Sequence, residues 1–135
     1  MKARVKNEQE PRCVLLWRVS PGSTAYGAVE HAARLYRLRV RAMDERDLKT
    51  TVEELCRGRR SEGGEAAPAP TEMPAMIVSG LRHDDGDLNA FVDEVRRGGA
   101  QFALRAMVTP TSRSWTLGAL LEELCREHEA VGGGQ

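Results

Sequence analysis

A chain of 135 residues has the length of one compact domain and can bury a core without help from a metal or a disulfide framework. Its 20 Lys and Arg balance its 20 Asp and Glu, which argues against nucleic acid as a partner, because that function calls for a basic excess or stripe. Apolar runs such as CVLLW and AMIV are too short to span a bilayer, so no membrane partner is expected either.

Residues 1–11 are charged and polar, with no apolar stretch of the kind a secretory signal carries, and read as a flexible terminus. Residues 12–57 form a first unit. CVLLWRV is a continuous apolar run, the mark of a strand covered on both faces. After the break at SPGS, Tyr26, Val29, Ala33 and Tyr36 recur at helical spacing. LRVRAM alternates, with Leu38, Val40 and Ala42 on one side and Arg39 and Arg41 on the other, so it reads as a strand with one wetter face. Asp47 is then expected to cap a helix whose apolar face is Leu48, Val52 and Leu55.

Residues 58–73 are rich in Gly, Pro, Ala and charge and read as a flexible linker. Residues 74–130 repeat the order of the first unit. AMIVSGL is a buried strand. Asp87 is placed to cap a helix using Leu88, Phe91, Val92 and Val95, stopped by Gly98 and Gly99. FALRAMV alternates, and Thr116 caps a last helix on Leu117, Leu120, Leu121 and Leu124. Residues 131–135 form a tail with nothing to hold it. Each unit is too small for an independent core, so the two are expected to share one.

Two β-α-β-α units imply an α/β fold: a four-stranded, mainly parallel sheet of order 2-1-3-4 with right-handed crossovers. The continuous apolar strands are central and the Arg-alternating strands lie at the edges. By the right-handed rule, helices 1 and 4 cover one face and helices 2 and 3 the other. A ferredoxin-like antiparallel sheet is the alternative.

Glu53 to Arg57 and Glu122 to Arg126 share the sequence EELCR, and both stretches keep a Glu-to-Arg pair spaced for helical contact. Matching them without a gap sets Leu48 on Leu117 and Asp47 on Thr116, as an old duplication would. By that match the second unit carries extra residues, the core of VTPTSRSW, between its last strand and last helix. They fall at the carboxyl end of the expected sheet, where open α/β folds place ligands. Their simplest reading is structural. With Thr116 as N-cap, Trp115 and Leu120 occupy the two positions of a hydrophobic staple, and Pro110 stiffens the strand exit.

The stretch AMVTPTSRSWTLGALLEELCREHE also resembles the signature of a bacterial family of small uncharacterised domains. That family reads Leu-Thr-Pro-Thr-Asn, two residues, then Trp-Thr-Leu and an amphipathic helix. The likeness covers residues 74–129, with the motif in Val108–Leu117. Thr109, Pro110, Thr111, Trp115, Thr116 and Leu117 match. Ser112 stands where Asn is usual, Ser114 departs from the common residue, and Ala119 replaces the acidic residue that would complete a capping box. The resemblance implies an α/β domain and brings no activity with it.

Thr109, Pro110, Thr111, Arg113, Trp115 and Thr116 therefore form the leading candidate loop. The weaker candidates are Ser20, Ser23 and Thr24 in SPGSTAYG, a turn with backbone N–H groups at a helix start that matches no phosphate-loop pattern. His83, Asp84 and Asp85 in RHDDGD offer metal-ligating side chains, but His31 and His128 sit on separate helices, so no metal is expected. Neither a catalytic set nor a cofactor is legible. Cys13, Cys56 and Cys125 are odd in number and widely spaced, which suits reduced thiols in a cytoplasm, and Cys56 and Cys125 fall beside apolar stripes, as buried thiols do. Two functions follow as expectations. One is a non-enzymatic cytoplasmic module acting through protein contacts, as a homo-oligomer or with another partner. The other is a small-anion or small-molecule binder, conceivably an enzyme, with a site at the carboxyl end of the sheet in a pocket joining Ser23, Thr24, Thr111 and Arg113.

Overall fold

A computed structural model of the chain describes residues 11–59, 66–82 and 84–132. In chain order the elements are β1 Cys13–Trp17, α1 Thr24–Tyr36, β2 Arg39–Met43, α2 Val52–Cys56, β3 Ala75–Ser79, α3 Asp87–Arg97, β4 Leu104–Met107 and α4 Leu117–Gly132. Short 3-10 turns at Glu45–Asp47 and Ser112–Ser114 precede α2 and α4. No helix among the described residues is long and apolar enough to cross a membrane.

The four strands form one sheet of order β2-β1-β3-β4, as the apolar patterns predict. Every residue of β1 and β3 is buried, whereas the edge strands β2 and β4 each keep an exposed arginine, Arg39 and Arg105. A strand covered on both faces has no solvated side to alternate toward, and this explains the unbroken runs CVLLW and AMIVS.

The sheet is mixed, which corrects the purely parallel arrangement. β1 pairs parallel with β2, and β3 parallel with β4, but the central pair β1–β3 is antiparallel, with Leu15 opposite Ile77 at its middle. The reason lies in the connector. Cys56 and Arg57, at the end of α2, line a cleft with Pro11, Arg12 and Arg39, at the starts of β1 and β2. A parallel β3 would begin there. Instead β3 begins beside Trp17, at the far end of β1. The chain between Arg59 and Ala75 can make that journey, since extended chain reaches about 3.3 Å per residue and a five-residue strand spans only ~17 Å. Its last part is held on arrival. Ala67, Ala69 and Met73 pack on the core, and the Trp17 indole Nε1–H donates to the Thr71 carbonyl at 3.0 Å.

Reversing β3 also moves a helix. A right-handed β-α-β unit turned about an axis perpendicular to the sheet keeps its helix on the same face. Accordingly α1 and α3 lie together over Val14, Leu16, Met76 and Val78, and α2 and α4 lie together over Cys13, Leu15, Ala75 and Ile77. The expected pairing of helix 1 with 4 and 2 with 3 is thereby overturned. On the first face Tyr36 meets Phe91 edge-on, with ring centroids 6.0 Å apart. Gly98 lies so close to Ala28 that a Cβ there would come within 2.8 Å of the alanine methyl.

Two helix caps differ from expectation. Ser23 caps α1, its Oγ accepting from the Tyr26 N–H at 3.2 Å. Thr51, and not Asp47, caps α2, while Asp47 is buried and its carboxylate accepts from the Asp44 N–H at 2.9 Å. Asp87 is the first residue of α3 behind Gly86, which has a φ of 85°, and the Asp87 N–H donates to the Asp85 carboxylate. In both places a carboxylate near a helix start serves the turn before the helix, a competition that short polar side chains set up.

Candidate functional site

The segment after β4 builds itself from its own hydroxyls. The Thr109 N–H donates to Ser112 Oγ at 3.0 Å and the Ser112 N–H donates to Thr109 Oγ1 at 3.0 Å, closing a reciprocal turn. Ser112, at the position where the resembled family has Asn, is buried and holds the turn with its hydroxyl. Pro110 and Thr111 are exposed, and Arg113 is half-buried. Thr116 caps α4, accepting from the Ala119 N–H at 3.1 Å. Trp115 packs half-buried against the same core cluster that holds Leu120, where the staple reading puts it.

The segment after β2 has the same plan. Asp44 and Asp47 exchange places with Thr109 and Ser112, Thr51 with Thr116, and the two stretches from Met43 to Thr51 and from Val108 to Thr116 are of equal length. They meet over the sheet: Thr51 and Thr116 form an antiparallel bridge, the Val52 N–H donates to the Trp115 carbonyl at 2.8 Å, and the Leu117 N–H donates to the Thr50 carbonyl at 3.0 Å. There is no inserted loop. The EELCR segments are displaced by one helical turn from this correspondence, because α2 ends at Cys56 while α4 continues to Gly132. A shift of one turn keeps an apolar stripe on the same face, so the two helices look alike in sequence at the wrong offset. The RAM shared by LRVRAM and FALRAMV has a similar origin. Arg41 pairs beside Leu15 and Arg105 beside Met76, so they point to opposite faces, as a one-residue slip requires.

Trp115→Ala should therefore cost about 2 kcal/mol, roughly half of a full aromatic truncation, and Thr116→Ala about 1 kcal/mol for the lost cap. The residues are neighbours, so the double mutant should fall short of the sum. Chemical denaturation of the three variants measures this, and a Trp115→Ala protein as stable as its parent would remove the structural role.

The remaining candidates do not come together. Since β3 and β4 run against β1 and β2, Ser20, Ser23 and Thr24 leave the sheet at the end where β4 begins, and Thr111 and Arg113 at the end where it finishes. The pocket joining Ser23, Thr24, Thr111 and Arg113 is not formed. Ser23 Oγ both caps α1 and donates to the Ser20 carbonyl at 2.7 Å. Asp84 takes the Arg82 guanidinium on both oxygens, at 3.0 and 2.9 Å. His83 lies outside the described residues. Among the described residues no group of three or more His, Cys, Asp and Glu is placed to hold a metal.

Two concavities were not legible as such in the sequence. One, of about 620 Å³, runs between α3 and the edge strand β4, with Leu88, Val92, Ala106 and Met107 half-exposed in it and Asn89, Asp93, Arg96 and Arg105 around them. The other, of about 830 Å³, lies at the opposite edge and is lined by Pro11, Arg12, Arg37, Leu38, Arg39, Cys56, Arg57 and Arg59. Behind it the thiols of Cys13 and Cys56 meet. Their hydrogen bond, together with burial, drives the Cys13 pKa far above the usual thiol range in spite of Arg41 and Arg39 nearby, so this thiol stays protonated. Cys125 is only half-buried, unlike Cys56.

No curated protein and no solved structure matches the chain. Residues 74–131, which hold β3, α3, β4 and nearly all of α4, match the family model described as a domain of unknown function (DUF3783), in agreement with the resemblance to uncharacterised domains drawn from the same stretch.

Proposed function

We propose that the chain is a cytoplasmic contact module that pairs with a second copy of itself along β4, without chemistry of its own. The observation that carries this reading is the groove between α3 and β4. It leaves Leu88, Val92, Ala106 and Met107 half-exposed beside a strand whose outer edge has no partner among the described residues. An open strand edge beside apolar side chains is a template for pairing. A charged two-fold patch favours both signs side by side, because each residue then meets its complement on the other copy. Asp93 stands with Arg96 and Arg105 on the rim and meets this need. The other edge is less open to pairing, since β2 carries Arg39 and Arg41.

Light scattering over a concentration series tests the reading. The parent should reach the mass of two chains by about 100 µM, where a micromolar dimer is filled. Met107→Lys and Val92→Lys, at half-exposed positions, should keep the parent's unfolding transition at low concentration and stay at the mass of one chain. A parent that stays monomeric throughout, or variants that dimerise as it does, would reject the proposed interface.

A further inference from the structure

We infer that the arginine-lined cleft at the β2 edge is a binding site for a small, multiply charged anion of the phosphate-ester or diphosphate class. It is separate from the contact surface proposed above, lying at the other edge of the sheet. Five of the eight described residues that line it are arginines, Arg12, Arg37, Arg39, Arg57 and Arg59. They come from the start of β1, the end of α1, the start of β2 and the end of α2, so the cluster exists only once the chain is folded.

Among the described residues the carboxylates neutralise it only in part. Glu53 takes Arg57 at 3.1 Å and Glu54 takes Arg59 at 3.4 Å. Arg12, Arg37 and Arg39 have no carboxylate partner among the described residues, which leaves three of the five guanidinium charges uncompensated there. Nor does local structure use them all. Basic side chains near helix carboxyl ends ordinarily serve exposed carbonyls, and Arg12 does so, donating to the Tyr36 carbonyl and to Gly80 O at 3.1 Å. Arg41, just beyond the cleft, donates to Leu55 O at 2.7 Å. Arg37 and Arg39 are exposed, with no side-chain partner among the described residues. Two guanidinium forks without a partner among the described residues, beside an anchored third, suit phosphoryl oxygens, which accept paired N–H bonds.

The cleft also says what the ligand lacks. Its volume of about 830 Å³ is that of a metabolite site. Among the described residues its lining contains no aromatic ring to stack on a base, and Leu38, Pro11 and the Cys56 side chain are the apolar ones. A sugar bisphosphate or a bare diphosphate fits this lining, and a nucleobase gains nothing from it.

Calorimetric titration of the full chain with inorganic pyrophosphate at low salt is the test. Saturable binding of one anion per chain is expected, weakening as salt rises. Arg37→Asn and Arg39→Gln should each weaken it about tenfold, the loss of roughly one charge-assisted contact. Both should unfold like the parent without ligand, because neither side chain supports the fold. Arg126→Gln, on α4 far from the cleft, should bind as the parent does. ADP should bind no more tightly than pyrophosphate. No saturable heat, equal weakening in Arg126→Gln, or unchanged affinity in both cleft variants would overturn the assignment. So would binding to anionic phospholipid vesicles or a short RNA without binding to pyrophosphate. The Met107→Lys variant should still bind pyrophosphate, so a failed interface and a failed anion site are told apart.

Discussion

Trp17→Ala should destabilise the protein by about 3–5 kcal/mol, as aromatic truncations in cores do. Trp17 is the largest fully buried side chain, at 1% exposure, and closes β1 beneath α2 and α4. It also anchors the incoming connector, since its Nε1–H donates to the Thr71 carbonyl, and the Arg18 guanidinium sits 4.5 Å above its ring. Arg18 in turn pairs with Glu45 at 2.7 Å and with Glu72 at 2.9 Å. The hydrogen bond to Arg18 holds the Glu45 carboxyl below its usual pKa. The alanine variant should therefore do two things: lower the denaturation midpoint, and speed protease cleavage in the connector before β3. Trp17→Phe separates the two roles. It keeps most of the apolar contact and leaves the Thr71 carbonyl without its donor, at a cost of about 1–2 kcal/mol. If Trp17→Ala unfolded with its parent, the account of how β3 reaches its antiparallel place would fail.

Gly80→Ala should cost about 2–6 kcal/mol, from two causes that can be measured apart. Gly80 has a φ of 94°, where an L residue is strained by about 1–3 kcal/mol. A Cβ there would also stand 2.8 Å from both the Arg12 Cα and the Pro11 carbonyl oxygen. These are backbone atoms that cannot swing aside, and such overpacking adds about 1–3 kcal/mol. Gly86 has nearly the same φ, 85°, with open space around it. Gly86→Ala should thus show the conformational cost alone. Equal losses in the two variants, by chemical denaturation, would mean that the close approach of β3's exit to the chain before β1 contributes nothing.

The elements were legible because each is written in short-range pattern. Continuous apolar runs marked β1 and β3, alternation marked β2 and β4, and Thr116 with Leu117, Leu120, Leu121 and Leu124 marked the start and face of α4. The cap of α2 was not legible, because Asp47 and Thr51 are both acceptable cap residues by chemistry. The choice fell to Thr51 when its neighbours found partners across the sheet in Trp115 and Leu117. The segment after β4 stands out in the sequence through a comparison that the structure does not keep. EELCR and RAM match at offsets where helical and strand periods repeat, while the paired turns Asp44–Asp47 and Thr109–Ser112 share geometry and no residue type.

The arginine cleft had a faint signal in RLRVR and CRGRR, but a balanced net charge hid it. Its members are separated along the chain and are gathered only by the parallel pairing of β1 with β2 and the return of α2 to their starts.

By itself the sequence determined strand and helix identity, the central place of β1 and β3, and the sheet order, since burial on one or two faces is printed directly in residue pattern. The tertiary structure alone decided the direction of β3, and with it the faces of the helices and the scattering of the expected rim. Direction depends on where the connector before Ala75 docks. That docking rests on Trp17 with Thr71, on Arg18 with Glu72, and on a few small apolar residues filling a gap in the core, contacts between distant residues that no local pattern records.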